Sequence, residues 1–321
     1  MERREFLRAG VAGAALLVAG PGMIGSARAE TFVNVLTGGT SGVYYPLGVA
    51  MATLFNDKIE GVNASAQATK ASVENLNLLQ SGGGELAFTL ADAASQAWAG
   101  VEDAGYKGPL DKLRHVAAIY SNYIQIVATA ESGIKTLADL KGKRISVGAP
   151  KSGTELNARA ILKAAGLSYE DFDKVEYLAF AESVDLMKNR QLDVTLQSAG
   201  LGVASIKDLA TALPIVVVEI PADVVAAVGD PAYLAGTIKA GTYQGQDADV
   251  ATAAIRNLLL THDGVADDLV YAMIDAIYGN LDTLVAAHKA AGAIKLDASA
   301  MASPVPLHPG AAKFYKDKGI G

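Results

Sequence analysis

Phe32-Val33-Asn34-Val35-Leu36-Thr37-Gly38-Gly39-Thr40-Ser41-Gly42-Val43-Tyr44-Tyr45 reads as a short apolar strand, a turn rich in glycine and hydroxyl groups, and a helix opening at about Val43. A strand that feeds a helix through such a loop is the building step of an α/β fold. The step recurs. Residues 85–90 read as a strand before a helix over 93–99. A second series has strands at 123–129, 144–147, 175–178 and 194–197, with helices over 155–165 and 183–189, and it closes with the apolar run 215–220. From about Val225 the chain reads as mostly helical, including 250–260, 266–279 and 281–291.

Length and composition set the frame. A chain of 321 residues exceeds one ordinary domain, so two lobes with separate cores are expected. The β-rich stretches 120–129 and 214–220 lie where one α/β series yields to the next and read as interlobe crossings. That predicts a discontinuous lobe I (30–120 plus 225–321), a continuous lobe II (121–224) and a cleft between them; a single doubly wound sheet is the alternative. The hydrophobic share is 51% and the charged share 19%, a globular composition.

The net charge is −7, which disfavours nucleic acid and anionic lipid surfaces as partners. The absence of cysteine removes disulfides and thiolate metal sites. Residues 1–29 read as an export signal. Arg3-Arg4 begin a basic start that resembles a twin-arginine signal, a mild apolar run follows over 9–20, and Ala27-Arg28-Ala29 has the small-x-small form of a cleavage site, predicting cleavage after Ala29 and a periplasmic mature protein. An amphipathic first helix is the alternative, against which the glycines and Pro21 stand.

Three loop-to-helix junctions are the candidate site, because a helix start exposes free N–H groups that attract anions. The first holds Gly38, Gly39, Thr40 and Tyr44. The second holds Ser72, read as an N-cap, with Glu74 and Asn75. The third holds Ser152, Gly153 and Thr154. In open α/β sheets ligands gather beyond the carboxyl ends of strands, so the first and third junctions are expected to face each other as an anion clamp. Gln197 and Ser198 end a strand nearby. Micromolar affinity needs ~8 kcal/mol, within reach of a handful of hydrogen bonds to a charged group at ~1.5–3 kcal/mol each.

Enzyme motifs fail. Lys151-Ser152 follows Pro150 where a phosphate-binding loop needs glycine, and Gly39 to Gly42 is not Gly-x-Ser-x-Gly. His115, His262, His288 and His308 lack metal-ligand spacing. No catalytic residue, metal or cofactor is predicted.

In order and spacing, several fragments together resemble the TAXI family, the receptors of one class of TRAP transporters. They are Gly38 through Gly48, Ser72-Val73-Glu74-Asn75-Leu76, Asp139-Leu140-Lys141-Gly142-Lys143-Arg144, Ser152-Gly153-Thr154, Gly241-Thr242-Tyr243 and Pro306-Leu307-His308-Pro309-Gly310-Ala311. The resemblance implies a two-lobed periplasmic-binding fold of type II with two crossing strands, and a non-catalytic receptor. It further implies a small carboxylate ligand such as glutamate or 2-oxoglutarate, and an ion-gradient-driven TRAP permease as partner. Where that family shows Gln-Ser-Asp, this chain has Leu90-Ala91-Asp92, so Asp92 alone is carried over as a contact. A periplasmic sensor module and a periplasmic hydrolase are the competing readings.

Overall fold

The computed structural model describes residues 30–320; the expected export signal and its cleavage point lie outside them. The first α/β series is β1 (Thr31–Leu36), α1 (Tyr44–Lys58), β2 (Val62–Gln67), α2 (Ser72–Ser81), β3 (Leu86–Leu90) and α3 (Ala91–Ala99). Next comes β4 (Leu113–Thr129), a strand of 17 residues. The second series is β5 (Arg144–Ser146), α4 (Gly153–Ala164), β6 (Lys174–Glu176), α5 (Phe180–Lys188), β7 (Val194–Ala199), α6 (Ala204–Ala212) and β8 (Ile215–Val218). After α7 (Ala222–Ala227) come β9 (Leu234–Ile238), β10 (Val250–His262), α8 (Asp267–Tyr278), α9 (Leu281–Ala287) and α10 (Pro309–Asp317).

All ten strands belong to one sheet, ordered β2-β1-β3-β10-β4-β7-β5-β6, with β8 on β4 and β9 on β10. The pairs β1–β2, β1–β3, β5–β6 and β5–β7 are parallel, as helical crossovers require. Two long antiparallel strands join these parallel halves. One end of β4 pairs with β10 and the other with β7 and β8. Likewise β10 pairs with β9 at one end and with β3 at the other. This is the α/β architecture of two-lobed periplasmic binding proteins, with two crossing strands.

The crossings correct two sequence expectations. The stretch 214–220 does not cross; β8 only adds an edge to β4. The second crossing is β10, which the sequence reads as a helix. Its Ala-Leu-rich run Ala253-Ala254-Ile255-Arg256-Asn257-Leu258-Leu259-Leu260 has helix-forming composition, yet it lies between β3 and β4 with both faces covered. A strand so placed loses the alternation that would have revealed it. We place the lobe boundary within β4 and β10.

The two hydrophobic clusters also differ from expectation, since they follow the faces of the sheet and not the lobes. Along β4, Ile126 and Ala128 enter one cluster and Val127 the other. The first cluster joins Leu47 and Phe55 of α1 to Ile206 and Leu209 of α6. The second joins Leu76 and Leu79 of α2 to Leu156 and Ile161 of α4. Each core therefore runs through both halves of the molecule.

Candidate functional site

Four helices begin at one cavity of ≈ 110 Å³, into which Tyr44, Ser72, Gly153 and Phe180 all face. Among these starts, α1, α2 and α5 have no side-chain hydrogen bond from their N-cap residue, so first-turn N–H groups lie beside the cavity without that acceptor, although Pro46 of α1 has no N–H to offer. The helix dipoles add positive potential. Lys70 stands at the rim, and among the described residues no aspartate or glutamate lines the cavity.

Lobe II supplies the hydroxyl groups. Ser152 is the N-cap of α4, its Oγ accepting the Glu155 N–H at 3.1 Å, at the junction where the sequence places a helix start. Thr154 Oγ1 accepts the Ser198 N–H at 3.4 Å. Ser198 Oγ, on a residue 5% exposed, has no hydrogen-bond partner. Ser152 and Thr154 already receive a backbone N–H, which leaves the hydroxyl proton as what each offers a guest. Two hydroxyls biased toward donation, beside the uncommitted Ser198 hydroxyl, favour a ligand rich in acceptors.

Lobe I closes against these groups. Ser72 is the first residue of α2 and not its N-cap, which is Ala71; its Oγ instead accepts the Leu90 N–H at 3.2 Å. Gly153 packs on it so closely that a Cβ there would stand 2.6 Å from Ser72 Oγ and 2.7 Å from Leu90 Cδ1. The Glu74 N–H donates to the Lys151 carbonyl at 3.2 Å. Ala71 and Lys151, on either side of this seam, both have positive φ, 72° and 62°, conformations that non-glycine residues hold only when their surroundings impose them. The junctions that touch are thus the second and third, with the first forming an adjoining wall.

Gly38, Gly39, Tyr44, Ser72, Ser152, Gly153, Thr154 and Ser198 all reach the cavity. Tyr44 contributes its ring, stacked on Phe88 at 5.0 Å, because its hydroxyl donates to Asn257 Oδ1 at 2.5 Å. Burial holds that phenol far above its ordinary pKa, with the Ser72 hydroxyl working the other way.

Thr40, Glu74, Asn75, Asp92 and Gln197 are not brought to the cavity. Thr40 is exposed on the outer turn. Glu74 Oε2 accepts the Lys70 N–H. Asn75 is a buried brace, its amide donating to the Thr37 and Phe88 carbonyls at 2.7 and 2.8 Å. Gln197 turns to α6, accepting from Ser205 at 2.6 Å. Asp92 is buried in a separate cluster between the lobes.

Sequence reasoning missed Asn122 and Phe180. Asn122 is a polar residue inside the apolar stretch of β4, a signal that was legible. It heads a buried chain: Asn122 Nδ2 donates to the Ser198 carbonyl at 2.8 Å, and Asn257 Nδ2 donates to Asn122 Oδ1 at 2.8 Å. Phe180 becomes visible only once α5 is folded against the cleft. A larger depression of ≈ 710 Å³ beside Lys151, Arg159 and Tyr177 belongs to lobe II alone. Its buried Glu155 is already committed to Arg159 at 2.6 Å and the Tyr169 hydroxyl at 3.1 Å.

Solved structures with this fold include the periplasmic binding protein BugD, 11% identical with a TM-score of 0.58 over 90% of this chain and 94% of that one. Another is PhnD1 from Prochlorococcus marinus (MIT 9301) in complex with methylphosphonate, 11% identical with a TM-score of 0.56 over 83% and 91%. The likeness is one of fold. The expected membership of the TAXI receptors does not hold, for the model of the NMT1-like family matches residues 35–319. Part of the misleading signal was turn chemistry. Asp139 in the Asp-Leu-Lys-Gly fragment closes a capping box with Thr136, and Gly142 takes a φ of 71°, needs that any chain folded this way meets with similar residues. With the match spanning nearly all of the described residues, the chain belongs to the NMT1-like family.

Proposed function

We propose that this protein is a periplasmic solute receptor that closes two lobes on a small organic anion and presents it to a membrane transport partner. The observation that carries the reading is the convergence of four helix starts with Ser152, Thr154 and the unpartnered Ser198 hydroxyl on one cavity without an acidic side chain. The fold supports the receptor role, and the basic start with Ala27-Arg28-Ala29 supports export with cleavage after Ala29.

The cavity volume narrows the guest. A dry cavity of about 150 Å³ accepts benzene, so ≈ 110 Å³ favours a guest no larger than about six heavy atoms over glutamate or 2-oxoglutarate. The apolar walls, Val43, Leu90 and Phe180, suit a short hydrocarbon tail behind a carboxylate or another oxyanion. We read the protein as non-catalytic, since the polar groups of the cavity serve positioning and include no paired nucleophile and base.

Titration calorimetry of the mature chain with pyruvate, methanesulfonate and methylphosphonate, beside the neutral and cationic analogues acetone and ethylammonium, tests the proposal. Saturable binding of at least one anion and of neither analogue is expected. Equal binding of anions and neutral analogues would sink the reading.

A further inference from the structure

Asp92 has no role in the cavity, yet it is the most deeply buried carboxyl at the seam. It stands in the first turn of α3 in lobe I with none of its surface exposed. Its Oδ2 accepts from Asn157 Nδ2 at 2.7 Å and from the Tyr233 hydroxyl at 2.8 Å. Asn157 lies one turn beyond Gly153 on α4 of lobe II, and its Nδ2 is also 2.9 Å from the Tyr233 hydroxyl oxygen. Two atoms of this cluster, Asp92 Oδ1 and Asn157 Oδ1, are buried without a hydrogen-bond partner. Both are acceptors as long as Asp92 is ionised. A single proton on Asp92 Oδ1 resolves both, because the acid O–H can donate to the amide oxygen while the amide N–H donates to Oδ2.

We propose that Asp92 is a proton-operated latch between the lobes: closing the cleft moves one proton from solvent onto its carboxyl, and the neutral acid pairs with the Asn157 amide.

The surroundings agree. Tyr233 and Asp230 approach from the segment entering β9, Tyr44 from α1, and Tyr106 from the turn after α3, where its hydroxyl donates to the Ala93 carbonyl at 3.1 Å. Asp230 carries the same charge as an ionised Asp92 and disfavours it. The hydrogen bond from Tyr233 and the N–H groups of Asp92 and Ala93 favour the ionised form, but burial outweighs them and pushes the carboxyl up to about 6. In an open cleft Asn157 withdraws with its lobe and water reaches Asp92, returning it toward the ordinary carboxylate value of about 3.9. The closed form then binds the proton more tightly than the open form. Closure is fully favoured below about pH 4, weakens as pH rises to about 6, and is level above that.

This inference rests on the two-lobed geometry and not on which solute binds. Its test follows the Asp92 carboxyl by carbon NMR across pH in the full mature chain, with compactness measured by small-angle scattering. The expected midpoint for Asp92 lies at least one pH unit above the ordinary carboxylate range, falling back toward it in Asn157→Ala. The wild type should expand between pH 4 and 7, whereas Asp92→Asn, whose amide keeps a donor toward Asn157, should stay equally compact throughout. If pyruvate binds, its affinity should be about tenfold higher at pH 5 than at pH 7 in the wild type and level in Asp92→Asn. An ordinary midpoint for Asp92, or the same pH response in Asp92→Asn as in the wild type, overturns the latch. Should Asp92→Asn fail to fold, the Asp92 midpoint in wild type and Asn157→Ala decides alone. If no anion binds, the anion reading falls while the carboxyl titration still decides the latch.

Discussion

Gly153 lies directly against Ser72, the start of one helix upon the start of another from the opposite lobe, with room for a Cβ only 2.6 Å from the serine oxygen. The contact lets α4 reach the cavity edge while α2 forms its other side. It fixes how near the two lobes can come.

Gly153→Ala should therefore hold the lobes apart. Forcing a methyl group into such a contact typically costs ~1–3 kcal/mol, and because the strain exists only in the closed form it should appear as roughly five- to 150-fold weaker anion binding. Calorimetry beside chemical denaturation separates the two, with little change expected in the unfolding midpoint of the solute-free chain if that chain opens.

Ser152→Ala removes both a helix cap and a cavity hydroxyl. Loss of the cap should lower stability by about 0.5–2 kcal/mol, read in urea. Loss of the donor should weaken anion binding by about a further tenfold or more. Ser152→Thr should restore the first and much of the second. Rescue of neither would show that Ser152 acts in another way.

The chain Tyr44–Asn257–Asn122–Ser198 braces the cavity floor where the crossing strands meet. Asn257→Leu would leave the Tyr44 hydroxyl and Asn122 Oδ1 without their partner, and such buried orphans cost about 1–3 kcal/mol each. Denaturation should show a loss on that scale, with Tyr44→Phe adding little once Asn257 is gone. Full additivity of the two changes would contradict a shared network.

His115 should govern the acid limit of stability. It is buried, its Nε2 lies 2.9 Å from the Ala300 carbonyl, and burial lowers its pKa to about 4. A folded-state value below the unfolded one of ~6.5 leaves stability intact above that pH and erodes it as pH falls toward 4. The full effect is on the order of 3 kcal/mol. His115→Gln, which cannot take up the proton, should escape that loss, so its urea midpoint should gain on the wild type's progressively as pH falls from about 6.5 to 4. A difference from the wild type that stays constant with pH would refute it.

Much of this was legible in the chain. Glycine and hydroxyl residues after short apolar runs marked the helix starts because turn and cap chemistry is local, though the cap itself was read at Ser72 and is found at Ser152. What failed was non-local. The helix-forming composition of β10 is overruled by neighbours more than a hundred residues away, Ser121 and Tyr123 among them, and no local pattern reports them. Asn75 entered the site because its segment adjoins it and Asp92 because the family resemblance carried it there, whereas both side chains turn inward to hold the frame.

Since each apolar core spans both lobes on its own face of the sheet, neither half is a transplantable module. A fragment covering 121–224 would lack β9 and β10 and bare the seam of β4, so it should aggregate. The intact chain should melt in one cooperative transition and not in two.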